Sequence, residues 1–395
     1  MTVAVEREPV RFVDPAELDR DPYPILRRLR EETPVVWVEP ARMWFVTRHA
    51  DVIDVLRDPV RFTTDSPGST IRDTFGSQML SAEGDEQRRY KTSSAGPFTT
   101  RAVRDQAGPL VERIVARLLD GVAGQESAEL RVSLAAPLAL ETVAVVLGIP
   151  EQYHPAIRDW YDAFAASLAN FTWDPAIRAR GHEAVAAFRG ALSPLLASPS
   201  SAPGLLGVLA SADPRLLTDD EILRNALIIL FGGIETTEAT ILNAAWALLT
   251  HRNALTEVQG DPALLSPAIE EAMRWEPAVQ TCTRHATGET IVGGVTIPAG
   301  DTIQCMIGGA NRDPSLFEDP DRFDLRRGNA DQHVSFGTGR HFCLGAALAR
   351  LEARVALGAL LVRFPGVSLA PGAPGPAGAE FRKPPSLPVV WRAHA

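Results

Sequence analysis

The segment Phe336-Gly337-Thr338-Gly339-Arg340-His341-Phe342-Cys343-Leu344-Gly345 constrains this chain more than any other. Two glycines two residues apart let a loop adopt positive φ and bring backbone close to a flat surface. Cys343 follows where a helical pattern begins, and that pattern runs until just before Pro365. A helix N-terminus offers free N–H groups and partial positive charge. Both favour a thiolate over a thiol, so Cys343 is expected to have a lowered pKa. On residue types alone a second reading stands beside it: a glycine turn with an incidental cysteine.

A second unusual stretch lies in the longest helical pattern. Thr218-Asp219-Asp220-Glu221 forms a capping box, a hydroxyl N-cap with a carboxylate three residues on. The helix is expected to reach about Thr250. Its interior contains Phe231-Gly232-Gly233-Ile234-Glu235-Thr236-Thr237. Each helix-interior glycine costs roughly 1 kcal/mol relative to alanine. Threonines back-bond to carbonyls and bend helices, and a buried glutamate is costly unless partnered. Three unfavourable choices in one place mark a site rather than scaffolding. The alternative is a glycine pair serving close helix packing.

The rest of the pattern is mainly α with small β-sheets, an α+β arrangement. A helix opens at Asp21-Pro22-Tyr23-Pro24 and runs to about Glu32. Val35–Val38 and Met43–Thr47 read as strands, and His49–Arg57 as a helix. Thr63–Gly76 reads as a long loop rich in Gly, Ser, Thr and Pro. Asp85 to about Arg252 is mostly helical, and Ser266–Trp275 is a further helix. Strands follow at Thr290–Val292, Val295–Ile297 and Thr302–Ile307, then an irregular stretch from Asn311 to Asn329. The Pro/Gly/Ala-rich tail Gly366–Ala379 reads as disordered, and Val389-Val390-Trp391 as a return to a sheet. One domain is expected over 1–395. Its β-rich parts fall near 30–65, 285–310 and 380–395, and its helical parts near 85–275 and 343–363.

The formal net charge of −10 argues against nucleic acid, which selects a basic face, and against an anionic membrane surface. The N-terminus lacks the apolar core of a secretory signal. The strongest apolar run, Ala226–Phe231, is far short of the roughly 20 residues that cross a bilayer. A cytoplasmic, unanchored protein is expected. Of the three cysteines, Cys282 and Cys305 read as small buried hydrophobes, and no disulfide framework is expected.

The Cys343 loop resembles the FGxGxHxCxG haem-binding loop of cytochromes P450, with all six fixed positions filled. The resemblance covers nearly the whole chain and implies the P450 fold, with the haem between the long helix and the cysteine-loop helix. It implies haem b, held non-covalently since no CxxCH is present, with Cys343 as thiolate ligand to the iron. Such a thiolate pushes electron density toward O–O cleavage. Phe336, Gly337 and Gly345 would then line the haem, and His341 would bond a propionate. The glycine stretch resembles the family's oxygen groove: Gly233 makes room, Thr236 hydrogen-bonds the oxygen being cleaved, and Glu235 relays protons to it. Glu271-Ala272-Met273-Arg274 fits the family's ExxR, with Arg322 as third, structural member. Arg284 would pair with a propionate. Gln87 and Lys91 stand where many members carry HxxxR and would reach a propionate too, a departure that puts the detailed geometry in doubt.

The resemblance further implies a monooxygenase that inserts one atom of O2 into a hydrophobic small molecule by hydroxylation, epoxidation or O-demethylation. Natural-product biosynthesis or catabolism is the expected setting. Electrons would come from NAD(P)H through a ferredoxin reductase and a ferredoxin, docking near Arg88, Arg89, Lys91 and Arg340. Candidate substrate contacts are Phe75, Met79, Phe171, Trp173, Ile229, Ile234, Val279, Thr281 and Phe381. Two rivals are a peroxide-driven peroxygenase and a non-catalytic haem sensor or carrier. The Glu235-Thr236 pair speaks against both.

Overall fold

The computed structural model describes residues 9–66, 68–170, 172–197 and 203–391. The longest helix, Asp219–Thr250, begins with the expected capping box: Thr218 Oγ1 accepts from Glu221 N–H at 3.3 Å, and Glu221 Oε2 accepts from Thr218 N–H at 2.8 Å. Its apolar residues point in every direction, and nearly all are buried. By length and composition it qualifies to cross a membrane, contrary to the sequence expectation, because its apolar residues are spread over the full helix rather than concentrated in one run. Yet 78% of its most apolar window is buried inside the protein, as in a core helix. It packs against Ala136–Leu147, the ExxR helix Leu265–Trp275 and the cysteine-loop helix Ala346–Arg363.

The largest sheet has six strands in the order Pro9–Val10, Val35–Val38, Met43–Val46, Thr302–Met306, Thr281–Ala286 and Phe62–Thr63. Two smaller apolar clusters lie on the two faces of this sheet, with Trp37 edge-on to Trp44 at 5.8 Å. The main cluster lies among the helices. Ser127–Glu129, Pro388–Val390 and Ser368–Leu369 make a second sheet, and Thr290–Val292 with Val295–Ile297 a hairpin.

Two low-complexity stretches are more ordered than their composition implies. Within Thr63–Gly76, Ser69 Oγ caps a helix at Thr70–Phe75 by accepting from Arg72 N–H at 3.3 Å. Gly76 ends it at φ 76°. In the tail Gly366–Ala379, Ser368–Leu369 joins a sheet, and Gly378 N–H donates to Asp19 O at 2.8 Å. Long-range backbone bonds of this kind leave no compositional trace. The cysteine-loop helix starts at Ala346, three residues later than expected, because Gly339–His341 forms a separate 3-10 turn.

Candidate active site

Cys343 N–H donates to Phe336 O at 2.9 Å, closing the loop into a tight turn. Gly337 and Gly339 both have positive φ, 64° and 69°. A Cβ on Gly339 would stand 2.8 Å from Leu56 O. Gly339 thus lets the loop approach the backbone that ends helix His49–Arg57. Gly345 faces open space, and its N–H bonds the Cys343 sulfur. The Phe336 ring lies 4.4 Å under the Arg350 guanidinium.

Cys343 is exposed as a residue, yet enough protein surrounds its thiol that burial pushes it up, against the opposing pull of the Gly345 N–H, Lys91 and Arg350. The lowered pKa expected from a helix N-terminus is thus corrected: the cysteine precedes the helix, and burial outweighs the local positive charge. Cys282 and Cys305 face each other across two antiparallel strands, and burial raises both.

In the long helix the two glycines differ. A Cβ on Gly232 would meet nothing within 4 Å, whereas one on Gly233 would stand 2.6 Å from Val143 Cγ2. Gly233, the expected groove residue, instead permits close packing on helix Ala136–Leu147, and Gly232 faces the open side. Thr236, one turn on and on the same face, donates to Gly232 O at 2.6 Å. Glu235 is buried, with Oε1 2.8 Å from Lys383 Nζ.

The ExxR pair is bidentate and wholly buried: Arg274 Nε to Glu271 Oε2 at 2.7 Å and Nη2 to Oε1 at 2.8 Å. Arg274 also donates to the carbonyls of Asn311, Pro320 and Arg322. The third member is Arg327, whose Nε is 3.1 Å from Glu271 Oε1. Arg322 was expected there, but its side chain is exposed and it contributes only its carbonyl.

The anion-binding set also differs from expectation. Gln87 and Lys91 share a face of helix Gly84–Ser94, but they point at the cysteine loop. Gln87 Nε2 donates to Arg340 O at 3.2 Å, and Lys91 Nζ to Arg340 O and Phe342 O at 2.9 and 2.6 Å. His341 Nε2 lies 3.2 Å from Glu83 Oε1, a protein carboxylate. Burial would raise Glu83, but His341 and the N–H and hydroxyl of Thr64 hold it down to about 2. Arg284 is buried, bonds only Thr283 O, and has no carboxylate partner among the described residues.

The substrate-contact candidates separate. Phe75 and Phe381 converge on Phe231, with ring centroids at 6.2 and 5.8 Å, and Tyr161 stacks on the same ring at 5.8 Å. Val279 pairs with Phe381 in an isolated bridge. Ile229, Ile234 and Thr281 are buried, and Met79 is half-buried with its N–H on Asn225 Oδ1. Trp173 is 43% exposed at φ 57°. Phe171 lies outside the described residues. Sequence reasoning missed Phe231, Tyr161, Glu83, Arg327 and Lys383. Of these, only Phe231 carried a signal, as the first residue of the glycine stretch in the long helix.

The cytochrome P450 family model matches residues 205–374. Cytochrome P450 monooxygenase PikC of Streptomyces venezuelae is 38% identical, over 94% of this chain and 91% of that protein. Nocardicin C N-oxygenase of Nocardia uniformis subsp. tsuyamanensis is 35% identical, over 96% and 98%. Among solved structures, P450BioI in complex with an acyl carrier protein ligated to hexadec-9Z-enoic acid has a TM-score of 0.89 at 29% identity, covering 95% of this chain and 99% of that one. CalO2 gives 0.89 at 29%, over 98% and 100%. Fold and relatives define the class, an oxygen-inserting haem-thiolate oxidoreductase. The chain belongs to the cytochrome P450 family: it is a monooxygenase that holds haem b non-covalently through a cysteine thiolate.

The residues present fit that group. An exposed cysteine offers the soft ligand, Gly232 and Gly345 leave open space, and the unpaired buried guanidinium of Arg284 suits a carboxylate.

Proposed function

We propose that Cys343 is the haem thiolate, and that Glu235 and Thr236 deliver protons during insertion of one oxygen atom from O2 into a hydrophobic small molecule. The observation that carries this reading is Cys343 itself, an exposed residue in a tight turn whose Gly345 N–H bonds its sulfur and whose glycines shape the loop. Cys282 and Cys305 are the other cysteines, and both are packed against the sheet's apolar cluster. Bound haem supplies the redox and oxygen-activating chemistry; the chain supplies the rest.

Arg284 would neutralise a propionate. Gln87 and Lys91 clamp the loop carbonyls on either side of His341 and so fix the sulfur's direction. Thr236 presents a hydroxyl beside the open face at Gly232, positioned to pass a proton. Phe75, Phe231, Tyr161 and Phe381 form an aromatic group that would bind apolar substrate and exclude water. Electrons would reach the site from NAD(P)H through a ferredoxin reductase and ferredoxin, in the cytoplasm. A role in natural-product biosynthesis accords with relatives such as the polyketide biosynthesis cytochrome P450 PksS of Bacillus subtilis, and catabolism is the other setting.

The first test is the spectrum of reduced protein under carbon monoxide. A strongly red-shifted Soret band is expected, and Cys343→Ser is expected to lose it while Cys282→Ser and Cys305→Ser keep it. A red-shifted band that survives Cys343→Ser would reject the assignment.

A further inference from the structure

What holds Glu235 comes from far along the sequence. Residues 377–383 form a tight hairpin, with Ala377 N–H to Lys383 O at 3.0 Å and Lys383 N–H to Ala377 O at 3.1 Å. Gly378 closes it at φ 119°, where a Cβ would stand 1.9 Å from Phe381 O. Side chains alternate on the returning strand. Phe381 meets Phe231 and Lys383 meets Glu235, both on the long helix, while Arg382 points the other way.

Arg382 is immobilised. Its Nε donates to Glu276 Oε1 at 2.6 Å, and its Nη1 and Nη2 donate to Asp19 O and Arg20 O at 2.9 and 3.0 Å. Glu276 in turn accepts from Tyr23 OH at 2.8 Å. The lysine next door therefore starts from a fixed backbone. Its Nζ lies 2.8 Å from Glu235 Oε1 and 3.0 Å from Glu238 Oε1. Glu238 has a second cation, Arg131 Nε at 2.6 Å. Glu235 has no other ion-pair partner among the described residues. The chain of charges starts at water and continues through buried groups: the side chain of Arg131 is 40% exposed, and those of Glu238, Lys383 and Glu235 are 3%, 14% and 11% exposed.

We infer that Lys383 is a positioning residue for proton delivery: it fixes the Glu235 carboxylate at the far end of an ion-pair chain that leads from Arg131 at the surface to the helix turn bearing Thr236. The inference rests on the reading of Glu235 and Thr236 as the proton-delivering pair. A displaced catalytic group costs rate steeply, and a buried carboxylate stripped of its only cation turns toward water.

The experiment uses the haem-loaded enzyme with a plant-type ferredoxin, its reductase, NADPH and an apolar compound that shifts the ferric haem to high spin. Peroxide released per NADPH and the solvent deuterium isotope effect on NADPH consumption are measured. Lys383→Met is expected to raise the peroxide yield roughly threefold or more and to change the isotope effect, with the carbon monoxide band intact. Lys383→Arg is expected to restore both. A merely structural role would lower stability without moving the isotope effect. If Lys383→Met loads haem poorly, Lys383→Gln carries the same comparison. Wild-type values in the uncharged variants, with Glu235→Gln raising the peroxide yield, would overturn the role of Lys383 and leave the relay standing. A silent Glu235→Gln would bring down the relay itself, and the inference with it.

Discussion

At the scale of single residues, identity and role separate in two places. Glu271 is wholly buried and shared between Arg274 and Arg327. Removing one cation from a buried carboxylate costs about 3–5 kcal/mol, because the remaining charge is left undercompensated. Arg327→Leu is expected to lose that much in urea unfolding. Arg322→Ala, at an exposed side chain, is expected to stay within about 0.5 kcal/mol. Thr236 donates to Gly232 O and sits beside open space. Thr236→Ala is expected to keep the carbon monoxide band while peroxide release rises and product falls. Unchanged coupling of electrons to product would remove its role.

At the scale of elements, the start of the long helix carries a charge-dependent brace. Arg89 holds Glu221 through two N–H bonds of 3.0 and 2.6 Å, and together with Thr218 it outweighs burial to bring the carboxyl down to about 2. A depressed carboxylate contributes stability that is full above its ordinary value near 4.5 and fades as pH falls toward 2. Glu221→Gln is expected to cost about 1–3 kcal/mol at pH 7, with the difference from the native protein shrinking through that acid window in urea titrations. The capping box behind this brace was legible in the sequence, since its members are three residues apart. So were the ExxR helix and the cysteine loop. Partners far apart in the chain were not. Nothing in the order of residues tells that Lys383 meets Glu235, or that Arg327 rather than Arg322 reaches Glu271. Gly232 and Gly233 are likewise indistinguishable as letters, and only the neighbouring Val143 separates packing from open space.

For the whole molecule, the proposed haem site would draw several groups together: the Cys343 sulfur, Arg284 and the open faces of Gly232 and Gly345. A ligand bound only by the folded state stabilises it by mass action, about 4 kcal/mol at a thousandfold excess over Kd. Haem-loaded protein is expected to melt well above haem-free protein, and Arg284→Leu to narrow the gap in thermal scans. The cysteine loop and the helix turn at Thr236 lie about a hundred residues apart in the sequence, so the site forms only when distant segments dock.

The hairpin at 377–383 gives this docking a temporal order. Glu235 leaves the ribosome long before Lys383, by on the order of ten seconds at about 5–20 residues per second. Through that interval the nascent helix carries a carboxylate whose partner has not yet been made, while Glu238 already has Arg131 upstream. The helix turn that bears Glu235 and Thr236 thus stays short of one cation until the returning strand has been made, and a chain cut off before Lys383 never acquires it.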